Sequence, residues 1–174
     1  MRDLSRLLFL TLAPLAITAP IAAAVEPVAE YALKAAYLYN FAGFTTWPGD
    51  SGPSIQLCVL GKDPFGAALD NLTGKAVGNS RLAVRRLDSG ESIRDCQILF
   101  ISASEKAALT TIVDSLRGAS VLTVADIPGA TEQGVMIEMT LDDRRVVFSV
   151  NAEAARRARL SISSKVLRLA KAVL

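Results

Sequence analysis

Three short apolar runs constrain this chain most: IQLCVLG at residues 55–61, CQILFIS at 96–102 and ASVLTVAD at 119–126. Each is nearly continuous in apolar residues and too short for an ordinary helix, the pattern of a strand covered on both faces. Helical stretches separate them. After Gly61, Lys62-Asp63-Pro64 leads into one through Leu72, with Asp63 placed as its N-cap and Pro64 at its first position. A turn over residues 74–80 then precedes RLAVRRL at 81–87, a further strand from which Arg85 and Arg86 leave the sheet. Ser102 and Glu105 have capping-box spacing, and Leu109, Ile112, Val113 and Leu116 line one helical face before Gly118. Strands alternating with helices predict an α/β fold, a mostly parallel Rossmann-like sheet flanked by helices and joined by right-handed crossovers.

The two ends of the chain differ from this middle. EYALKAAYLYNFAGFTTWP, residues 30–48, predicts a helix that stops before Pro48. Leu33, Tyr37, Phe41 and Phe44 stack on one face, and only Glu30, Lys34 and Asn40 make a polar stripe. Such a helix is either packed on most of its circumference or pressed against another chain, a second copy included. Near the other end, apolar residues recur at every second position as Val135, Ile137, Met139 and Leu141, and again as Val146, Phe148 and Val150 after Asp142-Asp143-Arg144. That is a C-terminal antiparallel β-hairpin. Arg144 stands where a two-residue turn usually places Gly, so either the loop is longer or a positive φ costs about 1 kcal/mol. Asn151 and Ser163 are placed to cap the two closing helices. Arg156, Arg157, Arg159, Lys165, Arg168 and Lys171 face either an anionic partner or solvent.

Residues 1–24 read as a signal peptide. Arg2 and Arg6 precede the apolar stretch LLFLTLAPLAITAPIAA at 7–23, and Ala22-Ala23-Ala24 supplies a small-residue site with cleavage after Ala24. The alternative is a retained anchor, since the stretch approaches spanning length. No later stretch is as long and apolar, so the mature domain, residues 25–174, carries no membrane span of its own and is expected in the periplasm. Removing Arg2, Arg6 and Asp3 from 19 basic and 17 acidic residues leaves 17 against 16, a net charge of +1. A chain so near neutrality has no global field to draw it onto nucleic acid. In an oxidising compartment Cys58 and Cys96, the two cysteines, are expected to pair; the alternative is two separate buried thiols. A flavodoxin-type order makes the first and third strands neighbours, as that bond requires.

Chemistry is sparse. The sequence holds no histidine, which excludes Ser-His and Cys-His couples and imidazole-dependent zinc sites. Gly61 and Gly66 have P-loop spacing, but Ala67 and Ala68 stand where Lys and Ser/Thr would hold phosphate and magnesium. In a doubly wound sheet ligands bind at the carboxyl ends of the strands, which selects Asp63, Ser102 and Asp126 as a rim. These residues could grip a small ligand or serve acid/base chemistry, or they could simply cap helices and close a strand. No nucleophile stands beside a base in a known motif. The chain is therefore read as a binding protein and not an enzyme, with no metal and no cofactor. A small-ligand sensor is the alternative, and a hydrolase a more remote one.

The segments EYALKAAYLYNFAGFTTWP, LCVLGKDPFGAALDNLTGK, CQILFISASE, VLTVADIPG and GVMIEMTLDDRRVVFSVNAEAARRARLSISSKVLRLA, in colinear order over the mature chain, resemble the YfiR family of periplasmic proteins. The resemblance implies an α/β repressor that binds the periplasmic sensing domain of a YfiN-type membrane diguanylate cyclase. Bound, it would lower cyclic di-GMP and restrain biofilm formation. Cys58 and Cys96 match the family's structural cysteine pair. A second pair carried by some members is absent where Thr131 to Glu138 stand, and Arg144 replaces a frequent Gly. The hairpin's Ile137 and Met139 are candidates for partner binding or homodimerisation, with core-facing alternation as the alternative.

Overall fold

A computed structural model describes residues 27–49, 52–88 and 90–174. The segment read as a signal peptide lies outside the described residues. Helix α1 spans Pro27–Phe44, and strand β1, Thr45–Thr46, leads on to Trp47 and Pro48. The middle of the chain contributes β2 (Ser54–Leu60), α2 (Ala67–Asp70), β3 (Ala76–Val77), β4 (Ser80–Leu87), β5 (Ile98–Ile101), α3 (Leu109–Ser115) and β6 (Leu122–Ala125). The end contributes β7 (Ile137–Asp142), β8 (Arg145–Val150), α4 (Ala152–Arg157), β9 (Ser161–Ile162), α5 (Ser164–Leu169) and β10 (Ala172–Val173). Eight strands form one sheet in the order β10-β8-β7-β6-β5-β2-β4-β3, while β1 and β9 pair antiparallel in a small second sheet.

The run β4-β2-β5-β6-β7 is parallel throughout and has the 2-1-3-4-5 order of flavodoxin-type sheets. The mostly parallel α/β reading therefore holds. Alternation within each strand sorts the core into two faces. Leu57, Val59, Ile98, Phe100, Leu122 and Val124 pack against α1. Cys58, Leu99, Ile101 and Ala125 pack on the other side with Leu109 of α3 and Leu116 just past its end. The Cys58–Cys96 disulfide joins β2 to the approach of β5, with Cα atoms 6.0 Å apart.

The hairpin forms as read, closed by the pair Asp142↔Arg145. Its two-residue loop has φ of 46° at Asp143 and 62° at Arg144, so the loop is not longer and the backbone is left-handed at two non-glycine residues. Asn151 Oδ1 accepts from Ala154 N at 2.8 Å and starts α4. Ser163 Oγ accepts from Lys165 N at 3.3 Å and starts α5.

Three expectations are corrected. The buried face of α1 is Lys34, Ala35, Leu38, Phe41 and Ala42, whereas Leu33 and Phe44 are exposed. An almost uniformly apolar helix has no strong moment to fix its rotation, and an ion pair to the sheet turns Lys34 inward. Asp63 does not cap α2: the helix begins at Ala67 with Gly66 before it, and Asp63 Oδ1 accepts instead from Phe65 N at 2.7 Å in a local turn. Ser102 forms no capping box. It precedes a 3-10 turn over Ala103–Ala108, and its hydroxyl donates to Lys62 O at 2.7 Å.

Candidate functional site

The carboxyl ends of β2, β5 and β6 carry Asp63, Ser102 and Asp126, as the alternation of elements requires. The three do not converge. Asp63 Oδ2 accepts from Arg86 Nε at 2.8 Å, and Arg86 also pairs with Asp70 at 2.7 Å. Hydrogen bonds to Asp63 and then Asp70 hold the Arg86 guanidinium above its usual range. Ser102 is buried and committed to the Lys62 carbonyl. Gly61 makes this close approach of two rims possible: its φ is 89°, and a Cβ there would run into Ser104 Oγ and the Glu105 side chain.

Asp126 sits in a buried polar cluster with residues of α1. Its Oδ2 accepts from the Tyr31 hydroxyl at 2.6 Å and from Lys34 Nζ at 3.3 Å. Lys34 Nζ also meets Glu30 Oε1 at 2.5 Å, one helical turn away, and lies over the Tyr31 ring at 4.5 Å from its centroid. Side-chain exposure is 4% at Lys34 and 3% at Asp126, so both charges are removed from water. Among the described residues, Asp126 Oδ1 has no hydrogen-bond partner. Burial first, and then the hydrogen bond to Asp126, push the Tyr31 phenol well above its ordinary value. Phe65 packs edge-on against both Tyr31 and Phe100, at 5.3 and 4.6 Å between ring centroids. Its ring is wedged beside the cluster. The arrangement fastens α1 to the sheet, and each rim group already has a partner within the chain.

Glu30, Tyr31 and Lys34 are absent from the rim as read from sequence, because the four-residue spacing of Glu30 and Lys34 also fits an exposed polar stripe. Ile137 and Met139 are fully buried, so the docking role suggested for them gives way to core-facing alternation. The hairpin's exposed apolar residue is Leu141, 47% exposed, and among the described side chains in the first half of α1 the large exposed apolar one is Leu33, 46% exposed. Tyr37, one turn beyond Leu33, packs on Phe148 with ring centroids 5.5 Å apart. Phe148 pairs with Met139, and Leu141 lies two residues further along the same face. Leu33 and Leu141 therefore project from the same side of the molecule. No described helix is long and apolar enough to cross a membrane.

These features define a class first: a flavodoxin-order α/β module, disulfide-stapled, whose rim side chains are bonded internally. Within it, the chain belongs to the YfiR/HmsC-like family, whose sequence profile matches residues 31–171. Among solved structures it is similar to a conserved domain protein from Vibrio cholerae O1 biovar El Tor strain N16961, with a TM-score of 0.54 at 9% identity. The alignment covers 83% of this chain and 60% of that one, a likeness of fold alone. No curated protein matches the chain.

Proposed function

We propose that the chain works in the periplasm as a regulatory binding protein that represses a membrane diguanylate cyclase by binding its periplasmic domain. The repressed enzyme makes less cyclic di-GMP, and biofilm formation falls. Family membership over residues 31–171 carries the reading. The exposed Leu33 and Leu141 support it, being apolar side chains on one side of the molecule that nothing among the described residues covers. A disulfide suits an oxidising compartment. The rim supports a ligand sensor or hydrolase less well, since Asp63, Ser102 and Asp126 each hold an internal bond.

The test is cyclic di-GMP in cells expressing a cognate cyclase, with the gene deleted and then restored. Deletion raises the level and the wild-type gene lowers it again. Leu33→Asp with Leu141→Asp, secreted and folded, fails to lower it, and Asp63→Asn still does. A level that stays flat on deletion removes the repressor reading. Full repression by the Leu33→Asp, Leu141→Asp variant removes the proposed docking side.

A further inference from the structure

At the amino end of the sheet, opposite the rim, β6 and β7 part. β5 pairs with β6 from Ile98↔Leu122 onward, but β7 joins only at Val124↔Ile137. Thr123 therefore has a strand neighbour on one side, and its Oγ1 accepts from Met136 N at 3.0 Å across the gap. α3 approaches from one face, and the small residues Ala154 of α4 and Ala158, just past its end, come from the other. The result is a cavity of about 570 Å³, within the size range of small-molecule sites.

Its walls divide by chemistry. Val121, Met136 and Ala158 are buried and make an apolar floor. Thr123 is 2% exposed, and its hydroxyl oxygen, which accepts from Met136 N, is the buried polar group of the lining. Arg117 and Arg157 are the two cations of the lining, and Asp114 is its one acidic residue. Both arginines are exposed and bound to surface carboxylates, Arg117 to Asp114 and Arg157 to Glu153. Exposed pairs of this kind are worth about 0–1 kcal/mol, so either guanidinium exchanges readily for the carboxylate of a ligand.

We propose that this cavity binds a small organic monoanion with an apolar body, its acid group held by Arg117 and Arg157 and its body lying on Val121, Met136 and Ala158. The inference stands apart from the repressor reading and shares no residue with its docking side. The probe is 8-anilinonaphthalene-1-sulfonate, whose fluorescence rises on entering an apolar site. The expected result is one saturable site per folded chain, displaced by octanoate and not by 1-octanol. Arg117→Gln with Arg157→Gln weakens binding roughly tenfold, as loss of charge-assisted hydrogen bonds does, and Ala158→Phe, which fills the cavity, abolishes it. Both variants are checked for native circular dichroism; the surface glutamine pair keeps the test open should the phenylalanine variant misfold. Absence of saturable binding overturns the site. Undiminished affinity in the glutamine variant, or equal displacement by octanol, overturns the anion assignment.

Discussion

At Lys34 an ammonium group is taken out of water and set between two carboxylates, Glu30 at 2.5 Å and Asp126 at 3.3 Å. The pair as a whole contributes little over an apolar isostere, but breaking it strands a buried charge. Lys34→Met is therefore expected to lower stability by about 3–5 kcal/mol in urea denaturation. Adding Asp126→Asn is expected to restore part of the loss, and a strictly additive double variant would show that the two residues do not interact. Tyr31 gives a pH signature. Its phenol is raised above the ordinary value of 10.0 in the folded chain, so above that pH the unfolded chain loses this proton first and stability falls with rising pH. Absorbance of tyrosinate should show Tyr31 titrating late while the chain stays folded, and Tyr31→Phe should remove both the late step and Tyr31's part of the stability loss. The sequence reveals half of this cluster. Glu30 and Lys34 are visibly one turn apart, yet Asp126 lies 92 residues from Lys34, and no local pattern says which side of α1 turns inward.

Elements were legible where backbone geometry has few solutions. The hairpin shows a period of two on both arms, and Asn151 shows the cap of α4. The start of α2 was not legible, because an aspartate before proline accepts the same kind of backbone N–H in a local turn as in a helix cap. Two-residue strands such as β3 and β10 carry no periodicity at all. The end of α4 holds a residue that the sequence does not flag. Leu160 N bonds to Ala155 O and Arg159 N to Arg156 O, both at 2.9 Å, and Arg159 has φ of 60°. This is a Schellman stop with arginine where glycine is favoured. Arg159→Gly removes a left-handed strain of about 1–2 kcal/mol against glycine's greater loss of chain entropy, so a gain of up to about 1 kcal/mol in urea denaturation is expected. At the far edge, Lys171 Nζ holds Asp142 Oδ2 at 2.9 Å and ties the start of β10 to the hairpin. That hydrogen bond first, and the lysine charge second, keep the Asp142 carboxyl below its ordinary 3.8. The tether is present above that value and lost as pH falls through the lower, folded one. Lys171→Ala should return the Asp142 carboxyl resonance towards the ordinary titration midpoint.

At the scale of the molecule, the sheet order follows from the alternation of strands and helices with right-handed crossovers, and the cysteine pair makes the same statement independently. Cys58 lies in the strand that pairs with both β4 and β5, and Cys96 lies two residues before β5 begins. Their bond therefore braces the centre of the sheet, across 38 residues of sequence. Closing a loop of that length in the unfolded chain is worth about 4 kcal/mol in the chain-entropy account. The native contacts around it, on the face shared with α3, stand without the covalent link. Comparing oxidised with reduced wild-type chain separates these contributions without opening a cavity, as substitution of two buried cysteines would. Reduction is expected to lower the unfolding free energy by about 4 kcal/mol and to steepen the urea dependence, because the freed unfolded chain exposes more surface. The far-ultraviolet circular dichroism of the folded reduced chain should match that of the oxidised one. A changed spectrum would mean that the bond shapes the native sheet itself, and that the order of its central strands depends on the compartment in which the chain folds.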